Sequence, residues 1–269
     1  MTILIITFLL TGLLSGFLAG LLGVGGGIII VPVSYYVMTK LGYSIDVAMH
    51  VAVASSLCII IFTSISSVST HLKLNNVEYK VIKKWFIGII LGSLLGSFLA
   101  SNIDGEILVL IFISLAFLIS INMFFQKKIK TIKNDIPQSN IINFIISGNI
   151  GFLSALIGIG GGSFSVPTLT MFSKKIHQAV GTSAVLGFLI AFPGAISYIF
   201  LGLNIENLPP YSIGYVNLII VFLVTSTSIF TANIGAKISK KIDKENLKRI
   251  FAIFLLFTCV SLVIEHFII

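Results

Sequence analysis

The sequence predicts an all-α polytopic integral membrane protein built from two inverted repeats. Each repeat is a glycine-broken helical hairpin followed by three spans, giving about 8–10 membrane segments. Three observations lead there. Of 269 residues, 57% are hydrophobic and only 10% charged, with a mean hydropathy of +1.11. An ordinary soluble domain carries roughly 25% charged residues, and so few charges cannot keep the surface of such a chain in water. The apolar stretches are also continuous, where a membrane β-barrel would show short alternating segments. Finally, the chain repeats itself, and the loop charges of the two copies are exchanged.

The charge-free runs set the elements in order. No Asp, Glu, Lys or Arg occurs in 1–39, 47–72, 85–103, 107–126, 136–173, 176–205, 207–236 or 250–264. A membrane helix needs about 20 such residues, so nearly the whole chain is spans and short loops, with no room for a soluble catalytic domain. No basic residue precedes the first apolar run, which is therefore not expected to be a secretory signal. The net charge of +8 comes from loop residues. With no soluble module to carry them, nucleic acid is not an expected partner. Cys58 and Cys259 fall inside apolar runs and read as packing residues; no metal and no cofactor is expected.

Residues 16–32 read GFLAGLLGVGGGIIIVP and 151–167 read GFLSALIGIGGGSFSVP, ten of the seventeen positions being identical. His50-Val51-Ala52-Val53-Ala54-Ser55-Ser56 matches His177-Gln178-Ala179-Val180-Gly181-Thr182-Ser183, and Ile103–Leu108 matches Ile242–Leu247. The chain thus divides into a first membrane repeat (1–126), a basic linker (127–139) and a second repeat (140–269).

The first run decides the relative orientation of the halves. As one straight helix, 2–39 would be about 57 Å long against about 30 Å of hydrocarbon. It must break, and GVGGG is the place. If the two pieces make one crossing, the halves are parallel and Lys and Arg divide eight to nine across the membrane. If they turn back on each other, the halves are inverted and sixteen of the seventeen basic residues share a side, Lys40 alone lying opposite. Loop Lys and Arg favour the cytoplasm, so the inverted arrangement is predicted in the cytoplasmic (inner) membrane, with the linker cytoplasmic and both termini outside. Equivalent loops agree: 72–84 holds four lysines and 202–212 none, whereas 99–106 holds none and 237–249 six basic residues.

The two glycine elements, Gly23/Gly25/Gly26/Gly27 and Gly158/Gly160/Gly161/Gly162, are the first candidate site. Irregular backbone at membrane depth is tolerated only when buried in protein or lining a cavity. A helix that restarts after such a break offers unpaired N–H groups that favour an anion. Paired breaks in inverted halves point to a transporter binding site. Pro32 and Pro167 prevent a regular helix through each region. The alternative is a tight turn that packs closely and binds nothing. Ser55, Ser56, Thr182, Ser183 and Ser163 are candidate hydroxyl donors to an oxyanion, against the alternative that they bond back to helix carbonyls. His50 and His177 are repeat-equivalent candidates for proton coupling, placed near a membrane face. No charge falls in the middle of any span, which argues against a carboxylate-based sodium site and for a weak anion site made of dipoles and hydroxyls. Gly12/Gly16/Gly20 and Gly88/Gly92/Gly96, with equivalents Ser147/Gly151/Ala155 and Thr227/Thr231/Gly235, read as helix-packing stripes. Trp85 and Tyr79 beside Lys83 and Lys84 read as an interfacial anchor.

The doubled G-x-G-G-G-x-x-x-V-P element, each followed by H-x-A-V-x-[S/T]-S, resembles the TauE/SafE family of sulfite exporters over nearly the whole chain. The resemblance implies a polytopic inner-membrane transporter of sulfite, sulfonates or related small sulfur-containing or organic anions. Its motif falls on Gly25, Gly26, Gly27, Pro32 and Ser56, then on Gly160, Gly161, Gly162, Pro167, Thr182 and Ser183. The first half departs at Ala54-Ser55, where the second has Gly181-Thr182. The expected function is a secondary transporter of a small anion, with the lipid bilayer as its other partner and a homo-oligomer left open. The rivals are a membrane-embedded lipid-processing or flipping protein and a non-transporting membrane subunit. An enzyme is not expected, since no HExxH, paired carboxylate or buried Arg appears.

Overall fold

In the computed structural model, described for residues 2–124, 135–239 and 244–267, long apolar runs form helices and the glycine elements break them. Side chains are described throughout these ranges except at 244–251 and 265–267. The first half holds α1 (Thr2–Leu22), α2 (Gly27–Lys40), α3 (Ile45–Lys73), α4 (Tyr79–Ser101) and α5 (Gly105–Phe124). The second holds α6 (Asn140–Leu156), α7 (Gly162–Met171), α8 (Ile176–Leu201), α9 (Leu218–Ile238) and α10 (Lys244–Phe267). Between α8 and α9 lies an antiparallel two-residue ladder, β1 (Ser212–Ile213) with β2 (Val216–Asn217). Lys127, Lys128, Lys130 and Lys133 of the predicted linker, and Lys240 and Lys241, lie outside the described residues.

Among the described residues, α1, α3, α4, α5, α8 and α9 are each long and apolar enough to cross a membrane, and the protein is a multi-pass membrane protein. The second pieces of the broken pairs are shorter. The ten residues of α7 rise only about 15 Å, half the hydrocarbon thickness. Pro32 sits in the second turn of α2 and Pro167 in that of α7.

The small-residue stripes explain how the halves join. α1 packs on α9, and α4 on α6. A Cβ added at Gly16 would meet Ser228 and Thr231, and one at Gly235 would meet the carbonyl of Phe17. On the other side Gly88 faces Ser147, and Gly151 faces the carbonyl of Ile89. Each stripe therefore lies against a stripe of the opposite half, where absent side chains let backbones touch. Exchanging every helix for its repeat counterpart turns the α1–α9 contact into the α6–α4 contact. It likewise turns α3–α9 into α8–α4, and leaves α3–α8 and α5–α10 as they are.

Trp85 departs from its sequence reading. It is fully buried, and its indole N–H donates to Asn143 Oδ1 at 2.9 Å. Asn143 in turn donates to the carbonyls of Pro137 and Ser139, at 2.6 and 2.8 Å. Trp85 is thus a post between α4 and the first turn of α6, while Tyr79, 70% exposed, keeps the place expected of an interfacial ring. The hydrogen bond decides the difference: a tryptophan that finds a buried acceptor loses nothing by leaving the interface.

Candidate functional site

The two glycine breaks meet each other at the centre of the molecule. Gly23, Gly25 and Gly26 adopt positive φ angles of 70°, 83° and 77°, as does Gly158 at 67°. Gly26 and Gly161 are the N-cap residues of α2 and α7, and neither helix has a side-chain cap. The contact between the breaks is backbone to backbone. A Cβ built on Gly25 would lie 2.7 Å from Gly160 Cα, and one on Gly160 would lie 2.7 Å from Gly25 Cα. Gly27 at the start of α2 abuts the carbonyl of Gly158, and Gly162 at the start of α7 abuts that of Gly23. No other residue type fits this crossing.

The hydroxyl pairs of α3 and α8 close over it in an exchanged pattern. Ser56 Oγ donates to the carbonyl of Gly158 at 2.7 Å, and Ser183 Oγ donates to that of Gly23 at 2.9 Å. Ser55 Oγ accepts the backbone N–H of Asn217, the N-cap of α9, at 2.9 Å. Thr182 Oγ1 accepts that of Glu78, the N-cap of α4, also at 2.9 Å. All four hydroxyls are buried, and every one bridges the two halves. Each bond maps onto its counterpart when the halves are exchanged. Net, such bonds contribute about 1 kcal/mol each, more when an orphaned partner would stay buried.

Pro32 and Pro167 do not interrupt the helix as expected. Each lies inside the helix that restarts after its glycines, in the second turn of α2 and α7, where a missing N–H removes a single hydrogen bond close to the helix start, and the glycines alone make the break. Gly161 is less constrained than its neighbours. Its φ is −51°, and a Cβ there would meet first Ile190 Cδ1, the end of a flexible side chain, at 2.5 Å. The seam is closed. The cavity lined by Val24, Gly162, Ser163 and Pro167 holds only about 20 Å³, room for about one water molecule. Ser163 and Pro167 also line a neighbouring crevice of about 630 Å³ between α5, α6 and α7, shared with Asn122 and Asn149. Ser163 Oγ is buried there without a hydrogen-bond partner among the described residues.

The histidines stand away from the seam. His50 is 1% exposed. Its Nδ1 lies 2.7 Å from the carbonyl of Asp46, and its Nε2 lies 2.9 Å from that of Ala100. Its ring stacks on Tyr215 at 4.9 Å. The Asp46 carboxylate is 3.6 Å from Nδ1 and accepts the N–H of Gly105. His177 is half-buried in the first turn of α8. Sequence reasoning missed Ser165, whose hydroxyl bonds Ser183 Oγ at 2.9 Å, because the first repeat has Ile30 there and no pattern marks it. Asn217, Glu78 and Tyr215 were missed for a similar reason: nothing in loop sequence says which loop returns to the core.

At one end of the molecule a charged cluster ties three segments together. Lys80 of α4 pairs with Asp135 before α6. Lys174, in the α7–α8 turn, lies 3.0 Å from Asp135 and 3.6 Å from Glu78. These ammonium groups, Lys80 first, hold the Asp135 carboxyl well below the usual carboxylate range.

The sequence profile described as "Sulfite exporter TauE/SafE" matches residues 8–262. The chain belongs to the TauE/SafE family. A Haemophilus influenzae relative, described as "Probable membrane transporter protein", is 35% identical over 247 residues, covering 91% of this chain and 92% of its own. Bacillus subtilis YunE, described in the same words, is 30% identical over 265 residues, with 91% and 92% covered. A Methanocaldococcus jannaschii relative of like description is 32% identical over 230 residues, with 85% and 84% covered. No solved structure matches significantly.

Proposed function

We propose that this TauE/SafE protein is a secondary transporter of a small anion, a sulfur oxyanion or sulfonate, working by alternating access between two inverted halves. The observation that carries the reading is the seam itself: two uncapped helix starts and two buried hydroxyls, Ser56 and Ser183, meet where the backbones of both halves cross. Unpaired N–H groups and hydroxyls bind an oxyanion without a cation, and such a site releases its ligand readily.

Inversion is supported by the cluster of Glu78, Lys80, Asp135 and Lys174. It gathers the α3–α4 loop, the linker end and the α7–α8 turn at one end, which requires α7 to turn back along α6. It also gathers lysines, as a cytoplasmic face would. Sulfur oxyanions are supported by the description of the family profile. His50 is the proposed proton-coupling group, with His177 its counterpart. Its support is geometric: both ring nitrogens face backbone carbonyls, of Asp46 and Ala100, so the buried ring joins the first turns of α3 to the end of α4.

The test is uptake into proteoliposomes of sulfite, sulfoacetate, thiosulfate, sulfate and lactate. The expected result is flux of at least one sulfur anion, lowered at least about tenfold in Ser56→Ala with Ser183→Ala, each hydroxyl bond being worth about 1 kcal/mol. No flux of any of the five, or equal flux in the double variant, overturns the reading.

A further inference from the structure

A second polar site lies outside the seam, between α3 and α9. A cavity of about 590 Å³ opens there, lined at one end by Lys73 of α3 and Lys237 of α9. Both lysines are exposed, and neither is in an ion pair among the described residues. The wall below them is polar and joined. Thr70 Oγ1 donates to Asn233 Oδ1 at 2.9 Å, and Ser66 Oγ donates to the carbonyl of Ile229 at 2.6 Å. Committing the Asn233 oxygen to Thr70 leaves its amide N–H₂ with no acceptor among the described residues. The far end of the groove is apolar and open, with Phe62 42% and Ile65 50% exposed.

Repeat architecture does not demand the two cations. Exchanging halves carries Lys73 to Phe200 and Lys237 to Phe98, both largely exposed, and Asn233 to Leu94. The equivalent groove between α8 and α4 therefore has the counterpart helices but neither lysine. What the α3–α9 groove adds is a pair of unneutralised ammonium groups at the end of an outward-facing apolar track.

We propose that this groove holds one anionic phospholipid, its phosphate between Lys73 and Lys237 and an acyl chain along Phe62 and Ile65. A free anion would use only the polar end. The exposed aromatic and aliphatic side chains running from that end match a chain-bearing ligand. The lipid would bridge the helix carrying Ser55 and Ser56 to the helix capped by Asn217.

The experiment uses the full chain purified in neutral detergent, read by native mass spectrometry and by apparent melting temperature. The probes are dioleoylphosphatidylglycerol, dioleoylphosphatidylcholine and inorganic phosphate. One phosphatidylglycerol should be retained and should raise the melting temperature, with phosphatidylcholine giving neither effect. Affinity should fall about fivefold in K73Q or K237Q and about thirtyfold in the double variant. K175Q, an exposed lysine outside the groove, and K73R/K237R, which keeps both charges, should bind as wild type. Equal retention of phosphatidylcholine, undiminished binding in K73Q/K237Q, or loss of binding in K73R/K237R overturns the proposal. So does equal stabilisation by inorganic phosphate at the same concentration, which would mark a free-anion site.

Discussion

Alanine at Gly160 and alanine at Gly161 differ by one residue and should differ sharply in effect. Neither position has a positive φ, so alanine is conformationally allowed at both and the difference is steric. At Gly160 the new Cβ lies 2.7 Å from Gly25 Cα and 2.8 Å from the carbonyl oxygen of Val24, both main-chain atoms of the opposite loop. Restoring ordinary contact at 3.4 Å means parting the loops by about 0.7 Å. The same movement stretches the bonds from Ser56 to Gly158 and from Ser183 to Gly23, now 2.7 and 2.9 Å, toward the limit of hydrogen bonding. Overpacking of about 1–3 kcal/mol plus weakening of two buried bonds gives a cost of about 2–4 kcal/mol. At Gly161 the first atom met is Ile190 Cδ1, which rotates aside, and replacing glycine by the poorer N-cap alanine costs about 0.5–1 kcal/mol. The assay is apparent melting temperature in detergent, with proteoliposome flux alongside. G160A should melt several degrees lower and lose flux, while G161A should melt within a degree or two of wild type and keep its flux. Wild-type stability in G160A, or equal damage in G161A, would refute a seam held by main-chain contact.

Two further predictions concern the ends of the helices. Asp135→Asn removes the negative charge shared by Lys80 and Lys174. The Asp135 carboxyl is held below its ordinary value of about 3.9, so its stabilisation is fully present above that pH and is lost as pH falls further. The stability gap to wild type should therefore be constant from pH 7 to 5, close below about 4, and shrink in high salt because Asp135 is partly exposed; a gap that widens in acid contradicts the pairing. Trp85→Phe leaves Asn143 Oδ1 buried without its donor and should cost about 1–3 kcal/mol in detergent melting, whereas Tyr79→Phe, at an exposed ring, should cost nothing measurable.

The sequence carried the broken helices and the small-residue stripes because both are stated by residue type. Glycine at four-residue spacing has one use in an apolar helix, and Gly16 and Gly88 each serve it. GxGGG cannot continue a helix, and both copies end one helix and cap the next. Pairing was harder to read. Ser55 and Ser56 are neighbours about 100° apart around α3, in no obvious register with Asn217 or Gly158, and their bonds span 162 and 102 residues of sequence. A repeat shows that two segments are alike, but not that each binds the other's neighbour. Trp85 failed for a related reason: its acceptor, Asn143, is in the other half, and without it an aromatic next to lysines reads as an interface residue.

The alternatives weighed for the hydroxyls were an oxyanion or a carbonyl of their own helix; the structure has two of them on carbonyls of the opposite half. On the proposed function these partners serve in turn. A carbonyl that loses its hydroxyl while buried costs about 1–3 kcal/mol, so an anion can take Ser56 and Ser183 only if the loops part and water reaches Gly23 and Gly158. With about 20 Å³ at the seam, binding and opening are therefore one event. The opening cost is subtracted from the affinity, which keeps binding weak and release fast. Because the bonds are exchanged between halves, breaking one side does not break the other: Ser56 can leave Gly158 while Ser183 still holds Gly23. On the proposed alternating access, a seam hinged in this way would open to one end or to the other, and S56A and S183A should then favour opposite-facing states. Cysteine accessibility on the two sides of α3 and α8 would show it, and identical accessibility changes in the two single variants would exclude it.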